Sequence, residues 1–405
     1  MPTTSLLLAA DQESERVLAL DPDDWSWLAP PGPDRRSARQ AALWSWSAVE
    51  DDSVRDLEPE RTWSLVSEAK FRLRGGRGWV LTTASRGLAA VVPYSGGPAY
   101  WATAMEGNPH TMELLPDGNA AIAASEGGFV RLYAASQGPR SARCAQYDLF
   151  GAHGLQWDGA RGLLWALGWY ELIALDVGRD PARPQLTPVH TVALPDIDGH
   201  DLSAVALDPD RMWLTTADHV YQYSFRADAF ARYAGQRSID GPGIKSIGDD
   251  PITGQVLTVS PQADDPCVWC TATVGFHTPA GSRHLSGTGL YKARWMPGPA
   301  TTGWPPTRAE PRPGRAAARL VGVPLELRGG DQPGAPGDGV AEGVLAHPVV
   351  PWTVRAGQDV LVGEDHPFAG VHQEVERDAH GRVVRDLLDV VVVRVRRGWG
   401  RPGAG

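Results

Sequence analysis

From Leu6 onward the apolar residues come in short runs, leucine-rich, β-branched or aromatic, broken at intervals of about 8 to 12 residues by Gly, Asp, Asn or Pro. No 3.6-residue period is sustained, so the pattern predicts strands joined by tight turns rather than amphipathic helices. Five segments share one order of parts: a basic residue, a short apolar strand, a turn, then two more strands. KFRLRGGRGWVLTTA starts at Lys70, HTMELLPDGNAAIAAS at His110, HGLQWDGARGLLWALG at His153, HDLSAVALDPDRMWLTTA at His200 and KSIGDDPITGQVLTVS at Lys245. The intervals between these basic residues are 40, 43, 47 and 45, and a further 47 reaches Lys292 in GLYKARW. Similarity at such a period marks a repeat architecture, each repeat one supersecondary unit. The intervening PDGN, WDGARG, DPDR and DDPITG carry turn chemistry, with Gly, Asn and Asp tolerating positive φ and Pro presetting φ.

The sixth unit has a first strand near 291–295 and nothing after it, because PGPATTGWPP follows. Its remaining strands are at the other terminus, where SLLLAAD, RVLALDP and ALWSWSA read as strands two, three and four. A unit assembled from both ends closes a ring and removes free sheet edges. The expected fold is all-β, a six-bladed β-propeller over residues 5–296, closed by N-terminal strands pairing with the strand near 291–295 and followed by a C-terminal extension. Residues 297–318, rich in Pro and Arg, read as a linker. Residues 319–405 fit two readings equally: a small β-module built on VVPWTV, DVLVG and VVVVRV, or a composition produced by a reading-frame shift. Trp79, Trp101, Trp165 and Trp213, on second or fourth strands, are expected between blades rather than on a ligand platform.

Neither the WD40 nor the kelch signature is present. NPHTMELLPDGNAAIAAS, HGLQWD, HDLS, KSIGD and GLYKARW resemble instead the blade motifs of an uncharacterised actinobacterial propeller family, a domain of unknown function. The resemblance spans about residues 5–296; it implies the fold and supplies no activity.

Charge narrows the partners. The net charge is -10 with a pI near 5.6, which argues against nucleic acid or an anionic membrane as the main partner and makes any positive site local. No apolar run approaches the roughly 20 residues of a membrane helix. No basic stretch precedes the first apolar run, so the chain as written reads as a cytoplasmic monomer, or as secreted if the start codon is mis-assigned. Three cysteines make no disulfide framework. Cys267 and Cys270 in CVWC lack the second pair a zinc site needs, and His277 and His284 follow at unsuitable gaps; they read as ordinary loop cysteines, with a loop disulfide as the alternative.

The candidate chemistry lies in the six basic residues. Of 38 Lys and Arg only three are Lys, and two of those, Lys70 and Lys245, open repeats while the third is Lys292. Lys is a compact point charge with a tunable pKa, which suits a crowded channel mouth better than the larger, planar Arg. Each of the six sits where a blade's first strand enters the central channel, so a common register predicts one ring in the order Lys292, Lys70, His110, His153, His200, Lys245. Three ammonium groups about 8 Å apart repel by on the order of 2 kcal/mol per pair at an effective dielectric near 20. Nearby carboxylates (Glu68, Glu106, Asp201) or a bound anion must offset that. The contiguous imidazoles of His110, His153 and His200 suit facial ligation of a divalent Mn, Zn or Ca ion. Lys70, Lys245 and Lys292 are the candidates for catalysis or for holding a carboxylate, with Glu13, Glu106, Glu126, Asp201 and Asp218 at the substrate. The expected function is binding of, or action on, an acidic carbohydrate or other anionic small molecule, as a metal-assisted lyase or hydrolase. The alternatives are a non-catalytic anion- or sugar-binding module and a scaffold with a sealed channel. This logic is similar to that of propeller polysaccharide lyases at the level of fold and site alone.

Overall fold

Every repeat unit folds as a four-stranded antiparallel meander. The computed structural model describes residues 5–24, 41–233, 239–262, 265, 267–296, 371–377 and 383–390. Strands β1 (Leu6–Asp11), β2 (Arg16–Leu20) and β3 (Trp44–Trp46) are followed by a short helical passage and the first complete blade, β4 (Val66–Arg74), β5 (Arg77–Ala84), β6 (Leu88–Pro93) and β7 (Trp101–Ala104). The second blade is β8 (Pro109–Leu114), β9 (Ala120–Ala124), β10 (Phe129–Tyr133) and β11 (Cys144–Asp148). The third is β12 (Gly154–Asp158), β13 (Leu163–Leu167), β14 (Glu171–Asp176) and β15 (Thr187–Ala193). The fourth is β16 (Leu202–Ala204), β17 (Arg211–Thr215), β18 (Val220–Ser224) and β19 (Ala229–Arg232). The fifth is β20 (Ser246–Asp249), β21 (Val256–Val259), β22 (Thr273–His277) and β23 (Gly281–His284). The last inner strand, β24 (Leu290–Met296), pairs with β1 in the register Leu6↔Met296, Leu8↔Arg294 and Ala10↔Lys292, which completes the sixth blade from the two ends of the ring.

The closing strand shows how one sequence run serves two interfaces. Because side chains alternate across a strand, Leu6, Leu8 and Ala10 pack into a cluster with Val80, Ala90 and Val92 of the first complete blade, while Leu7 and Ala9 pack with Leu257, Val274 and Phe276 of the fifth. All are buried, which is why SLLLAAD has no polar alternation. The tryptophans do the same elsewhere: Trp79 and Trp101 sit with Met112 and Ile122, Trp165 with Met212 and Leu214, and Trp213 with Ile247 and Val256. They are packing residues between blades, as their strand positions predict.

Three inner strands carry a bulge near the start. Register skips Ser67 in β4, His110 in β8 and Tyr291 in β24. A bulge gives one strand an extra residue and re-aims its side chain, and two of these three residues reach the channel mouth.

Cys267 and Cys270, read from sequence as ordinary loop cysteines, form a disulfide instead. The two residues face each other as an isolated antiparallel bridge with Cα atoms 5.3 Å apart, within the span a disulfide needs. Cys144 is free and exposed. Among the described residues no helix is long and apolar enough to cross a membrane.

The chain divides into two units, Met1–Ala317 and Ala318–Gly405. In the second, β25 (Val371–Arg377) and β26 (Val383–Val390) pair antiparallel. The linker at 297–318 and the strand candidates VVPWTV and DVLVG lie outside the described residues; VVVVRV overlaps the hairpin only at Val390.

Candidate functional site at the channel mouth

The inner strands of all six blades enter the channel from one face. His153, His200 and Lys245 stand in equivalent places there. Each donates its backbone N–H to the carbonyl of the last residue of its blade's second strand: Leu167 at 2.9 Å, Thr215 at 2.8 Å and Val259 at 2.8 Å. His110 joins them through its bulge. The three imidazoles are in contact, with centroids 4.4 Å apart for His110 and His153, 4.7 Å for His153 and His200, and 6.3 Å for His110 and His200.

Between the outer two lies Tyr291. Its hydroxyl is 3.0 Å from His110 Nδ1 and 3.0 Å from His200 Nε2. One hydroxyl has one proton, so it donates to one imidazole and accepts N–H from the other. His153 Nδ1 is 2.8 Å from the Gly151 carbonyl. A carbonyl only accepts, which places the proton on Nδ1 and leaves Nε2 as a lone pair.

Burial keeps this cluster neutral. Desolvation pushes His153 down to about 4, and His110 and His200 well below the usual imidazole value, with Lys245 and Lys292 adding repulsion. Burial likewise pushes the Tyr291 hydroxyl well up. Lys245 is partly buried and is lowered by desolvation, opposed by Asp198. Its ammonium makes no hydrogen bond or ion pair with another described residue.

Lys70 and Lys292 lie deeper, in an ion-pair network that fills the channel. Lys292 Nζ is 3.4 Å from Asp201 Oδ1 and 3.9 Å from Glu68 Oε2. Arg294 grips both carboxylates, donating to Glu68 at 2.7 and 2.9 Å and to Asp201 at 2.6 and 3.2 Å. Lys70 Nζ donates to the Leu155 carbonyl at 2.7 Å and to Thr111 Oγ1 at 2.9 Å, with Glu68 at 3.6 Å. Arg72 pairs with Glu113 through two contacts of 2.7 Å. Although burial opposes their ionisation, the adjacent Arg and Lys charges hold Glu68, Asp201 and Glu113 below the usual carboxylate range. Desolvation brings Lys70 down to about 8, against the pull of Glu68.

The single ring expected from the repeat spacing is therefore two tiers. His110, His153, His200 and Lys245 share the mouth, whereas Lys70 and Lys292 are fully buried below it. For Lys70 the cause is register: Ser67 Oγ donates to the Pro109 carbonyl, so Ser67 is level with the mouth and Lys70 lies three residues further in. Of the carboxylates expected to offset the lysines, Glu68 and Asp201 do so, and Glu106 pairs with Arg131 at 2.8 Å instead. Glu13, Glu126 and Asp218 lie on mouth-side turns but are exposed, and Glu126 accepts from Asn108. None of these four exposed carboxylates is hydrogen-bonded to the histidine cluster.

Sequence reading missed Tyr291, Arg294 and Asp198. Tyr291 sits beside a residue already singled out, and only the bulge lets both Tyr291 and Lys292 serve the channel. Arg294 is two residues beyond Lys292, on the same face, a signal that strand period alone could have supplied. Among the described residues no group of three or more His, Cys, Asp or Glu side chains is arranged to hold a metal ion. The nitrogens of His110 and His200 that would converge on an ion are aimed at Tyr291.

Fold and site together define a six-bladed β-propeller whose channel is filled by an ion-pair network and capped by a neutral histidine and tyrosine cluster. The chain belongs to a family of unknown function, DUF6528, whose pattern matches residues 34–307. No curated protein matches the sequence. Among solved structures it is similar to a protein of unknown function from Bacteroides caccae, at 12% identity over 68% of this chain and 90% of that one, with a TM-score of 0.41. It is also similar to Sqt1 of Saccharomyces cerevisiae, at 12% identity over 73% of this chain and 70% of that one, with a TM-score of 0.40.

Proposed function

We propose that the channel mouth binds the carboxylate of an acidic carbohydrate or similar small anion, with Lys245 as its ion-pair partner. The observation that carries this reading is that the Lys245 ammonium, beside three imidazoles, makes no hydrogen bond or ion pair within 4 Å among the described residues. Among the described residues each of the other channel cations has an ion-pair partner. Arg72, Arg294, Lys70 and Lys292 face Glu68, Glu113 and Asp201, and Lys245 faces Asp198 without a hydrogen bond, so five cations stand against four carboxylates and one positive charge is left over. A carboxylate placed at the mouth would meet this surplus in a partly desolvated setting, where a charge-assisted hydrogen bond is stronger than in water.

A chemical step fits the same residues. With the carboxylate held by the Lys245 ammonium, the lone pair on His153 Nε2 can take a proton from the carbon next to it, and Tyr291, bonded to two imidazoles, can give its own to a leaving oxygen. That is β-elimination; hydrolysis would use His153 Nε2 to activate water. A divalent ion held by His110, His153 and His200 is a second reading, favoured by the 4.4 and 4.7 Å ring separations. It requires Tyr291 to swing out of its place between the rings.

The test is thermal unfolding of untagged protein, before and after chelation, with and without galacturonate and glucuronate. At a ligand concentration near one hundred times Kd the stabilisation is about 2.7 kcal/mol, or about 5 °C for a domain of this size. The expected result is a shift of that order that survives chelation and disappears in Lys245→Met. A shift that persists in Lys245→Met, or none with either uronate, overturns the reading. A shift lost on chelation and restored by Mn, Zn or Ca selects the metal-held form.

A further inference from the structure

Two exposed aromatic rings stand on the mouth face. Phe150, in the turn entering the third blade, is 60% exposed, and Tyr170, in the turn between β13 and β14, is 52% exposed. Their rings are nearly parallel, at 15° with centroids 5.9 Å apart, and Trp169 braces Phe150 edge-on at 6.0 Å. They are not loosely held. Trp169 N–H donates to the Phe150 carbonyl at 2.8 Å, Leu194 N–H to the Tyr170 carbonyl at 2.8 Å, and Asp198 N–H to the Trp169 carbonyl at 2.8 Å. Gly151 follows Phe150 at φ +62°, and a Cβ there would come within 2.9 Å of the Trp169 side chain, so the close approach of the two turns depends on that glycine.

These bonds also tie the rings to the mouth. Phe150 is three residues before His153, which limits their separation to on the order of 10 Å. Trp169 is bonded to Asp198, the carboxylate that acts on Lys245 and lies two residues before His200. The patch is small. An aromatic side chain offers 150–250 Å² in all, so two half-exposed rings present on the order of 200 Å², far short of the roughly 800 Å² per partner of a stable protein interface. A ring-sized ligand fits that area and a protein does not. The electron-rich faces complement the weakly positive C–H face of a pyranose, and Lys245, linked to the patch through Asp198 and Trp169, favours negative charge on the same molecule.

We infer that Phe150 and Tyr170 form a sugar-stacking subsite, and that the ligand of the mouth is an acidic oligosaccharide rather than a single sugar acid. One residue of the chain places its carboxylate at Lys245 and a neighbouring pyranose lies on the aromatic pair. This rests on the anion-binding reading of the mouth, and the experiment separates the two.

Isothermal titration is run with galacturonate, with trisaccharides of galacturonate, mannuronate and a glucuronate-containing series, and with neutral maltotriose and cellotriose. In the native protein at least one uronate trisaccharide is expected to bind tenfold or more tighter than its monomer, and the neutral sugars not to bind. In Phe150→Ala/Tyr170→Ala that advantage is expected to fall to about one while monomer binding is unchanged, and Phe150→Tyr/Tyr170→Phe is expected to restore it. If the trisaccharide advantage persists in the double alanine variant, the subsite is overturned and the mouth reading stands. If no uronate of any length binds the native protein, the mouth reading falls and takes the subsite with it.

Discussion

His153 shows how one residue's surroundings set its chemistry. Its ring is buried, so the neutral form is favoured and the folded pKa drops from 6.5 to about 4, although the Nδ1–H bond to the Gly151 carbonyl pulls the other way. The sign of the linkage follows. As pH falls below 6.5 the unfolded chain takes up a proton that the folded one refuses, so stability is lost between about 6.5 and about 4 and then levels off. A shift of this size corresponds to on the order of 3 kcal/mol. His153→Gln is expected to remove that part of the acid destabilisation, measured as urea midpoints at pH 7 and pH 5; equal losses in the variant and the native protein would show that His153 is not held neutral. This property was only half legible in the sequence. The repeat grammar marks the residue, but the burial and the nearby Lys292 and Lys245 charges that lower its pKa exist only once the ring has closed.

At the scale of elements, β1 decides whether there is a ring. It supplies Leu6 and Leu8 to one interblade core and Leu7 to the next, each burial worth about 1.5–3 kcal/mol. It also hydrogen-bonds β24, the strand that carries Tyr291, Lys292 and Arg294. Removing residues 1–20 would leave β24 without a neighbour in its own blade and expose the facing cores. Soluble yield is expected to collapse, or the melting temperature to fall by well over 10 °C; a truncated protein that melts within 2 °C of the full chain would contradict closure at this seam. Closure was readable because a missing set of strands at one terminus and a surplus set at the other leave one arrangement. The bulges were not. A strand period assigns alternate residues to alternate faces, and it cannot announce that Ser67, His110 and Tyr291 are each one residue too many. That local slip, with the offset of Lys70, turned a predicted single ring into a mouth of imidazoles over a floor of ion pairs.

The molecule as a whole combines a net charge of -10 with one more cation than carboxylate along the described part of the channel. The net negative charge opposes approach of anions in general, so the proposed binding would take its specificity from the mouth: the Lys245 ammonium, a neutral imidazole and phenol cluster, and an aromatic pair on the rim. Among the described residues Asp198 is the carboxylate that acts on Lys245, without a hydrogen bond to it, and in the proposed reading the ligand's carboxylate makes that bond. The account depends most on that claim. A crystal structure of the full chain with a uronate trisaccharide tests it directly. A carboxylate within hydrogen-bond distance of Lys245 Nζ, with Tyr291 still between His110 and His200, is the predicted result. A sugar bound elsewhere, or Lys245 paired with a protein carboxylate while the mouth holds no ligand, would contradict it.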